Sequence, residues 1–152
     1  KILDNENIKV ISSIFFNPEL TLKSGNYTKL KPSISDKSSI KKGITYFNKL
    51  NSLDHIQAVI VKGNIILATE DRQGTKKMLS SLKKKSKGIL IKFPKKKQDL
   101  RMDLPTIGLQ TLKDCKKYGL KGIVLKSKKN IFLDKAKCIS FANKNKIFIK
   151  II

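Results

Sequence analysis

The run Gln57-Ala-Val-Ile-Val-Lys62-Gly63-Asn64-Ile-Ile-Leu-Ala68 reads as two strands joined by a tight turn. Ala58 to Val61 are apolar, Lys-Gly-Asn follows, and Ile65 to Ala68 are apolar again. Short apolar runs bounded by turn residues mark a buried hairpin. Upstream, Ile40, Ile44, Phe47 and Leu50 recur at helical spacing, with Asp36 as the expected N-cap and an end near Asp54. Downstream, Glu70 to Gly74 reads as loop, Thr75 to about Lys85 as helix, and Gly88 to Phe93 as a third strand.

The same order then recurs. A helix from about Leu109 to Tyr118 stops at Gly119, a favoured C-terminal residue. Gly122 to Leu125 is a strand, Ser127 to Asn130 a turn and Ile131 to Leu133 a strand. Asp134 caps a helix through about Asn145, and Ile147 to Ile151 is the last strand. Lys121-Gly-Ile-Val-Leu-Lys126 echoes Gln57-Ala-Val-Ile-Val-Lys62. The expected fold is α/β: a mixed β-sheet with packed helices, built from two similar helix-strand-turn-strand-helix-strand halves. Residues 1–34, with a short strand at Ile8 to Ile11, read as a connecting segment, and residues 35–152 as one domain.

The charge is extreme. Of 152 residues, 34 are basic and 11 acidic, a formal net charge of +23. Nearly all the basic residues are lysine, spread through every segment beside abundant Ile and Asn. That pattern reads as an AT-rich coding bias rather than an arginine-built footprint. The Lys83–Lys85 and Lys95–Lys97 runs have no interleaved aromatics for stacking bases, so no specific nucleic-acid partner is expected. Nonspecific attraction to an anionic membrane surface remains. No apolar run approaches the ~20 residues of a membrane span. Cys115 and Cys138 both fall in helices and read as small buried hydrophobes in a reducing compartment. His55, the one histidine, reads as structural. Zinc chemistry and histidine triads therefore lack residues.

The chemistry concentrates between Lys92 and Gly108. Asp99, Arg101 and Asp103 alternate with Leu100, Met102 and Leu104, an extended pattern with one polar and one apolar face. A helix would also pair Asp99 with Asp103, but it scatters the apolar residues, and Pro105 disfavours helix at Leu104. Two aspartates on one face repel unless a cation lies between them, and Mg²⁺ suits oxygen ligands and phosphate. The competing reading pairs both acids with neighbouring lysines. Arg101 offers a planar fork to phosphate oxygens. A second acidic pair, Glu70 and Asp71, precedes Gln73-Gly74-Thr75 at a helix start, and Thr106 and Gly108 stand before the next helix. Free N–H groups at such starts favour anions, although plain capping explains them as well.

The segment Lys92-x5-Gln98-Asp99-Leu-Arg101-x-Asp103-Leu-Pro-Thr106-Ile-Gly108 resembles the signature of the LpxI-type UDP-2,3-diacylglucosamine pyrophosphatases of lipid A biosynthesis. The hairpin, the Glu70 to Thr75 segment and Gly119 to Asp134 are similar too, so the likeness runs from about residue 12 to the end. It implies hydrolysis of the substrate's diphosphate to UMP and 2,3-diacylglucosamine 1-phosphate, with Mg²⁺ or another divalent cation such as Mn²⁺. It implies a catalytic set of Asp103, Asp99 and Arg101, metal ligands among Asp103, Asp99 and Glu70, and substrate contacts from Lys92, Gln98, Gly74, Thr75, Thr106 and Gly108. It also implies a further domain before this one, with substrate between the two, and a cytoplasmic enzyme peripheral at the inner membrane, with a homodimer as a further expectation. The chain departs from the family at Gln73 and Lys76, where members usually carry Glu and Asp. Two rivals stand beside this reading: a basic nucleic-acid-binding module, and a noncatalytic homologue that binds a nucleotide sugar or membrane.

Overall fold

A computed structural model describes residues 2–50, 56–83, 85–95 and 99–152. Gln98 and His55 lie outside the described residues, as does the expected helix end near Asp54. The elements are α1 (Ile2–Asn5), α2 (Ser13–Phe16), a 3-10 turn (Pro18–Leu20), β1 (Gly25–Asn26), α3 (Ile34–Leu50), β2 (Ala58–Lys62) and β3 (Ile65–Thr69). They continue with α4 (Gly74–Ser80), β4 (Ile89–Lys92), β5 (Thr106–Ile107), α5 (Leu109–Lys117), β6 (Gly122–Leu125), β7 (Ile131–Phe132), α6 (Lys135–Lys144) and β8 (Phe148–Ile151).

Six strands form one mixed sheet in the order β1-β8-β6-β4-β2-β3. β4, β6 and β8 run parallel, while β2 pairs antiparallel with both β3 and β4, and β1 antiparallel with β8. β2, β4, β6 and β8 are apolar along almost their whole length because helices or loops cover both faces. On one face, Ile60, Leu90, Ile123 and Ile149 pack with Leu79, Leu112, Cys115 and Cys138 of α4, α5 and α6. On the other, Val59, Ile91, Val124 and Phe148 pack with Ile40 and Phe47 of α3. Both cysteines are buried and unpaired, and burial pushes their thiol pKa values up.

The hairpin forms as expected, turning at Gly63 in the left-handed region. Gly119 closes α5, and the Leu120 N–H donates to the Cys115 carbonyl at 2.8 Å in a Schellman pattern. Several details differ from the sequence reading. Ser33, not Asp36, begins α3: the Ser33 N–H and Oγ donate to Asp36 Oδ2 at 3.0 and 2.7 Å, and the Asp36 N–H donates to Ser33 Oγ at 3.2 Å. This is a reciprocal capping box with an aspartate in the glutamate's place. Asp134 precedes α6 in left-handed backbone and makes no side-chain cap; its carboxylate faces Lys137 instead. α4 ends at Ser80 rather than Lys85. Ser80 and Ser81 turn their hydroxyls back onto the carbonyls of Lys77 and Met78, an alternative to helix continuation. Residues 8–11 form no strand.

The recurring element order is not a recurring pairing. β3 returns beside β2 in the main sheet, whereas β7 leaves it and pairs in parallel with β5 in a separate two-stranded sheet. Gly25 and Asn26, inside the expected connecting segment, form the edge strand of the main sheet on β8.

Candidate functional site

The parallel strands β4 and β6 present their carboxyl ends at one edge of the sheet, where open α/β sheets usually bind ligands. Lys92 is the last residue of β4, paired with Ala58 in β2. The Phe93 ring meets Phe47 of α3 edge-on at 5.5 Å and anchors the chain just past Lys92. The ladder carries on past β3: the Glu70 N–H donates to the Ala58 carbonyl at 2.9 Å. Glu70 and Lys92 are thereby brought to the same edge.

Glu70 is only 6% exposed, and both its carboxylate oxygens are occupied. Oε2 accepts the Gln57 N–H at 2.8 Å, and Oε1 accepts the Thr75 hydroxyl at 2.5 Å. Thr75 Oγ1 in turn accepts from Lys92 Nζ at 2.9 Å. Acid, hydroxyl and ammonium form one chain. Burial pulls the Lys92 pKa below its ordinary 10.5, while the charges of Glu70 and Asp103 push it back up.

Asp103 supplies the second negative charge on Lys92. Its side chain is exposed, and no described residue hydrogen-bonds its carboxylate. The segment that holds it overturns the extended reading. Asp99 accepts the N–H groups of both Met102 (3.1 Å) and Asp103 (2.9 Å) at its carbonyl, so residues 99–103 make a tight turn. Asp99 Oδ1 also accepts the Arg101 N–H at 3.0 Å. This is the short-range side-chain chemistry by which aspartate builds turns. Met102, expected on an apolar inner face, is 71% exposed. Leu104 alone of the three apolar residues is buried.

Arg101 folds back on Asp99, with Nη2 to Oδ2 at 2.7 Å and Nε to Oδ1 at 3.0 Å. Hydrogen bonds from Arg101 hold the Asp99 carboxyl down at about 2. The pair lines a cleft of about 590 Å³ with Ser12, Phe15, Leu104 and Lys128. Asp99 thus takes its countercharge from the arginine between the two acids, a partner that the sequence reading assigned to phosphate.

Asn130 was missed by the sequence reading, which assigned it only to a turn. It is 3% exposed, accepts the Lys126 N–H at 2.9 Å, and donates to the carbonyls of Lys92 (3.1 Å) and Pro105 (3.4 Å). It ties the end of β4 to the start of β5. The available signal was an Asn at the end of a turn between two apolar strands. Thr106 follows Pro105; its hydroxyl donates to the Leu104 carbonyl at 3.1 Å and caps no helix. Gly108 precedes α5 in extended backbone, and no side chain caps that helix. Gly74 takes a positive φ of 82°, and the space beside its missing Cβ is open, so its turn geometry, not a close approach, requires glycine.

The expected ligands Asp103, Asp99 and Glu70 are not gathered into one cage. Among the described residues, no three of His, Cys, Asp or Glu come together. Asp99 is held by Arg101, and Glu70 by Thr75 and Gln57. Among the described residues none hydrogen-bonds the Asp103 carboxylate, whose charge acts on Lys92. This fits a cation held by one protein carboxylate and by substrate phosphate rather than an all-protein site.

Residues 23–150 match the LpxI C-terminal domain. A relative from Caulobacter vibrioides, the UDP-2,3-diacylglucosamine pyrophosphatase LpxI, is 30% identical over 141 residues, spanning 86% of this chain and 50% of the relative. The chain therefore spans about half the length of that protein. The matched residues include every side chain gathered around Lys92, and the chain belongs to the LpxI family by its C-terminal domain.

Proposed function

We propose that this chain supplies the C-terminal part of an enzyme that hydrolyses the diphosphate of UDP-2,3-diacylglucosamine, releasing UMP and 2,3-diacylglucosamine 1-phosphate. The observation that carries the reading is the Glu70–Thr75–Lys92 chain with the charge of the exposed Asp103 carboxylate acting on Lys92, in a member of the LpxI family. Water adds to one phosphorus, the bond to the bridging oxygen breaks, and negative charge grows on the leaving phosphate. Lys92, aimed by Thr75, faces that charge, and Glu70 and Asp103 oppose the lowering of its pKa by burial. Arg101, fixed by Asp99, lines the adjoining cleft and adds its positive charge there. Asn130 fixes the position of Lys92 through the backbone.

A divalent cation such as Mg²⁺ would be held by Asp103 together with substrate phosphate, and would supply charge neutralisation and a more acidic water. Glu70 then serves Lys92 rather than the metal. The lipid substrate would place the enzyme at the cytoplasmic face of the inner membrane. Among the described residues, no helix is long and apolar enough to cross a membrane. Because the Caulobacter relative is about twice as long, the 152-residue chain alone is expected to turn over little substrate. The test is UMP release from UDP-2,3-diacylglucosamine by the full-length gene product with Mg²⁺ and with EDTA. Release that EDTA abolishes supports the proposal. A folded protein that releases none contradicts it.

A further inference from the structure

α2 carries two adjacent aromatic residues, Phe15 and Phe16, whose rings meet edge-on at 5.2 Å. Phe15 is nevertheless 76% exposed, so most of its ring has no protein partner. An aromatic ring left this open forgoes most of the stabilisation that burial would give. The same ring lines the cleft of about 590 Å³ that Arg101 lines. Its place there is fixed through Ser12. The Ser12 hydroxyl caps α2 by accepting the Ile14 N–H at 3.3 Å, and donates to the Leu100 carbonyl at 3.3 Å. α2 is thereby tied to the turn that carries Arg101. Lys128 adds a second cation to the lining, its N–H donating to the Leu22 carbonyl at 3.0 Å. Among the described residues, Asp99 is the one acid in the cleft, and Arg101 already neutralises it.

We infer that Phe15 recognises the base of the nucleotide half of the substrate, its ring giving the face on which uracil stacks, while the charges of Arg101 and Lys128 draw the phosphate. The inference rests on the reading of the substrate as a uridine nucleotide. Such a nucleotide joins a flat, uncharged ring to a phosphate anion, and the cleft holds a match for each. An acyl chain would match the ring alone, and free phosphate the cations alone. Bases stack on exposed aromatic side chains through their π-faces. The cleft volume lies within the ~300–1,000 Å³ of small-molecule sites. Phe15 takes no part in bond breaking on this account. It sets how tightly the uracil end is held, and so which nucleotides compete with substrate.

The test compares UMP with ribose 5-phosphate, which lacks the base, as inhibitors of UDP-2,3-diacylglucosamine hydrolysis by the full-length gene product. Wild type, Phe15→Leu and Phe15→Tyr are measured together. Leucine keeps an apolar side chain and removes the flat face, and tyrosine keeps the face. Stacking predicts that Phe15→Leu weakens inhibition by UMP about tenfold and leaves ribose 5-phosphate unchanged. Phe15→Tyr is expected to keep the wild-type preference for UMP. Equal losses for UMP and ribose 5-phosphate in Phe15→Leu would reduce the ring to a structural part and overturn the inference. A preference for UMP that survives Phe15→Leu would overturn it too, and show that the base lies elsewhere. Should Phe15→Leu fail to fold, a folded Phe15→Tyr that has lost the preference would do the same. In each of these cases hydrolysis by the wild type leaves the reading of the reaction standing. A folded wild type that hydrolyses nothing contradicts that reading, and the inference falls with it.

Discussion

The ammonium of Lys92 donates to the hydroxyl of Thr75 across 2.9 Å, joining the end of β4 to the first turn of α4. Through Thr75 it also reaches buried Glu70, so a cation is held at the sheet edge against the cost of its own burial.

That burial gives a pH signature. The folded pKa of Lys92 lies below its ordinary 10.5, so between the two values the unfolded chain binds more protons than the folded one. Stability contributed at this site therefore rises with pH across that window. Lys92→Met removes the titration. Denaturation midpoints taken from pH 8 to 10.5 are expected to show a smaller upward trend in the variant than in the wild type.

Asp99 tests the turn. Its carboxyl is held at about 2 by Arg101, against an ordinary 3.8. The stability from this pair is present above 3.8 and is lost as pH falls through 2. Arg101→Gln is expected to return the Asp99 titration midpoint, read by carboxyl carbon NMR, toward 3.8. An unchanged midpoint would show that the guanidinium does not hold it.

Asn130→Ala leaves the Lys92 carbonyl and the Lys126 N–H without their side-chain partner, while the Pro105 carbonyl keeps the Ile131 N–H at 3.1 Å. Unsatisfied buried groups cost about 1–3 kcal/mol each before relaxation or water entry. A loss of about 2–4 kcal/mol is expected by urea denaturation. Activity at a temperature where the variant stays folded should fall as well, because the same side chain positions Lys92.

Gly119 adopts a φ of +71°, and an added Cβ would stand 2.7 Å from the Lys85 Cα. Backbone cannot move aside as a side-chain tip can. Gly119→Ala is expected to cost at least the ~1–2 kcal/mol of left-handed geometry, measured by the same denaturation.

The sequence made the sheet legible where local chemistry decides. The apolar runs at Ala58, Ile89, Gly122 and Phe148, the Gly63 turn and the Gly119 helix stop were readable because buried strands and left-handed turns restrict residue type. The 99–104 segment misled because its alternation imitates a strand. Asp99 has a closer use for its carboxylate, on the N–H and guanidinium of Arg101, and that contact bends the chain. The departure of β7 to pair with β5 had no local signal, since pairing is settled by distant partners. Lys92, Glu70 and Thr75 were all named as site residues, yet their direct linkage depends on β2 pairing with both β3 and β4, a register that no motif displays.

The measurement closest to the central claim is UMP release from UDP-2,3-diacylglucosamine with Mg²⁺ by the full-length wild type, Lys92→Met, Asp103→Asn and the surface control Asp114→Asn. Loss of about a hundredfold or more in the two site variants is expected, the scale of removing one group that stabilises developing charge, with the control unchanged. Site variants that fold and turn over like the wild type would contradict the assignment of chemistry to the Lys92 edge of the sheet.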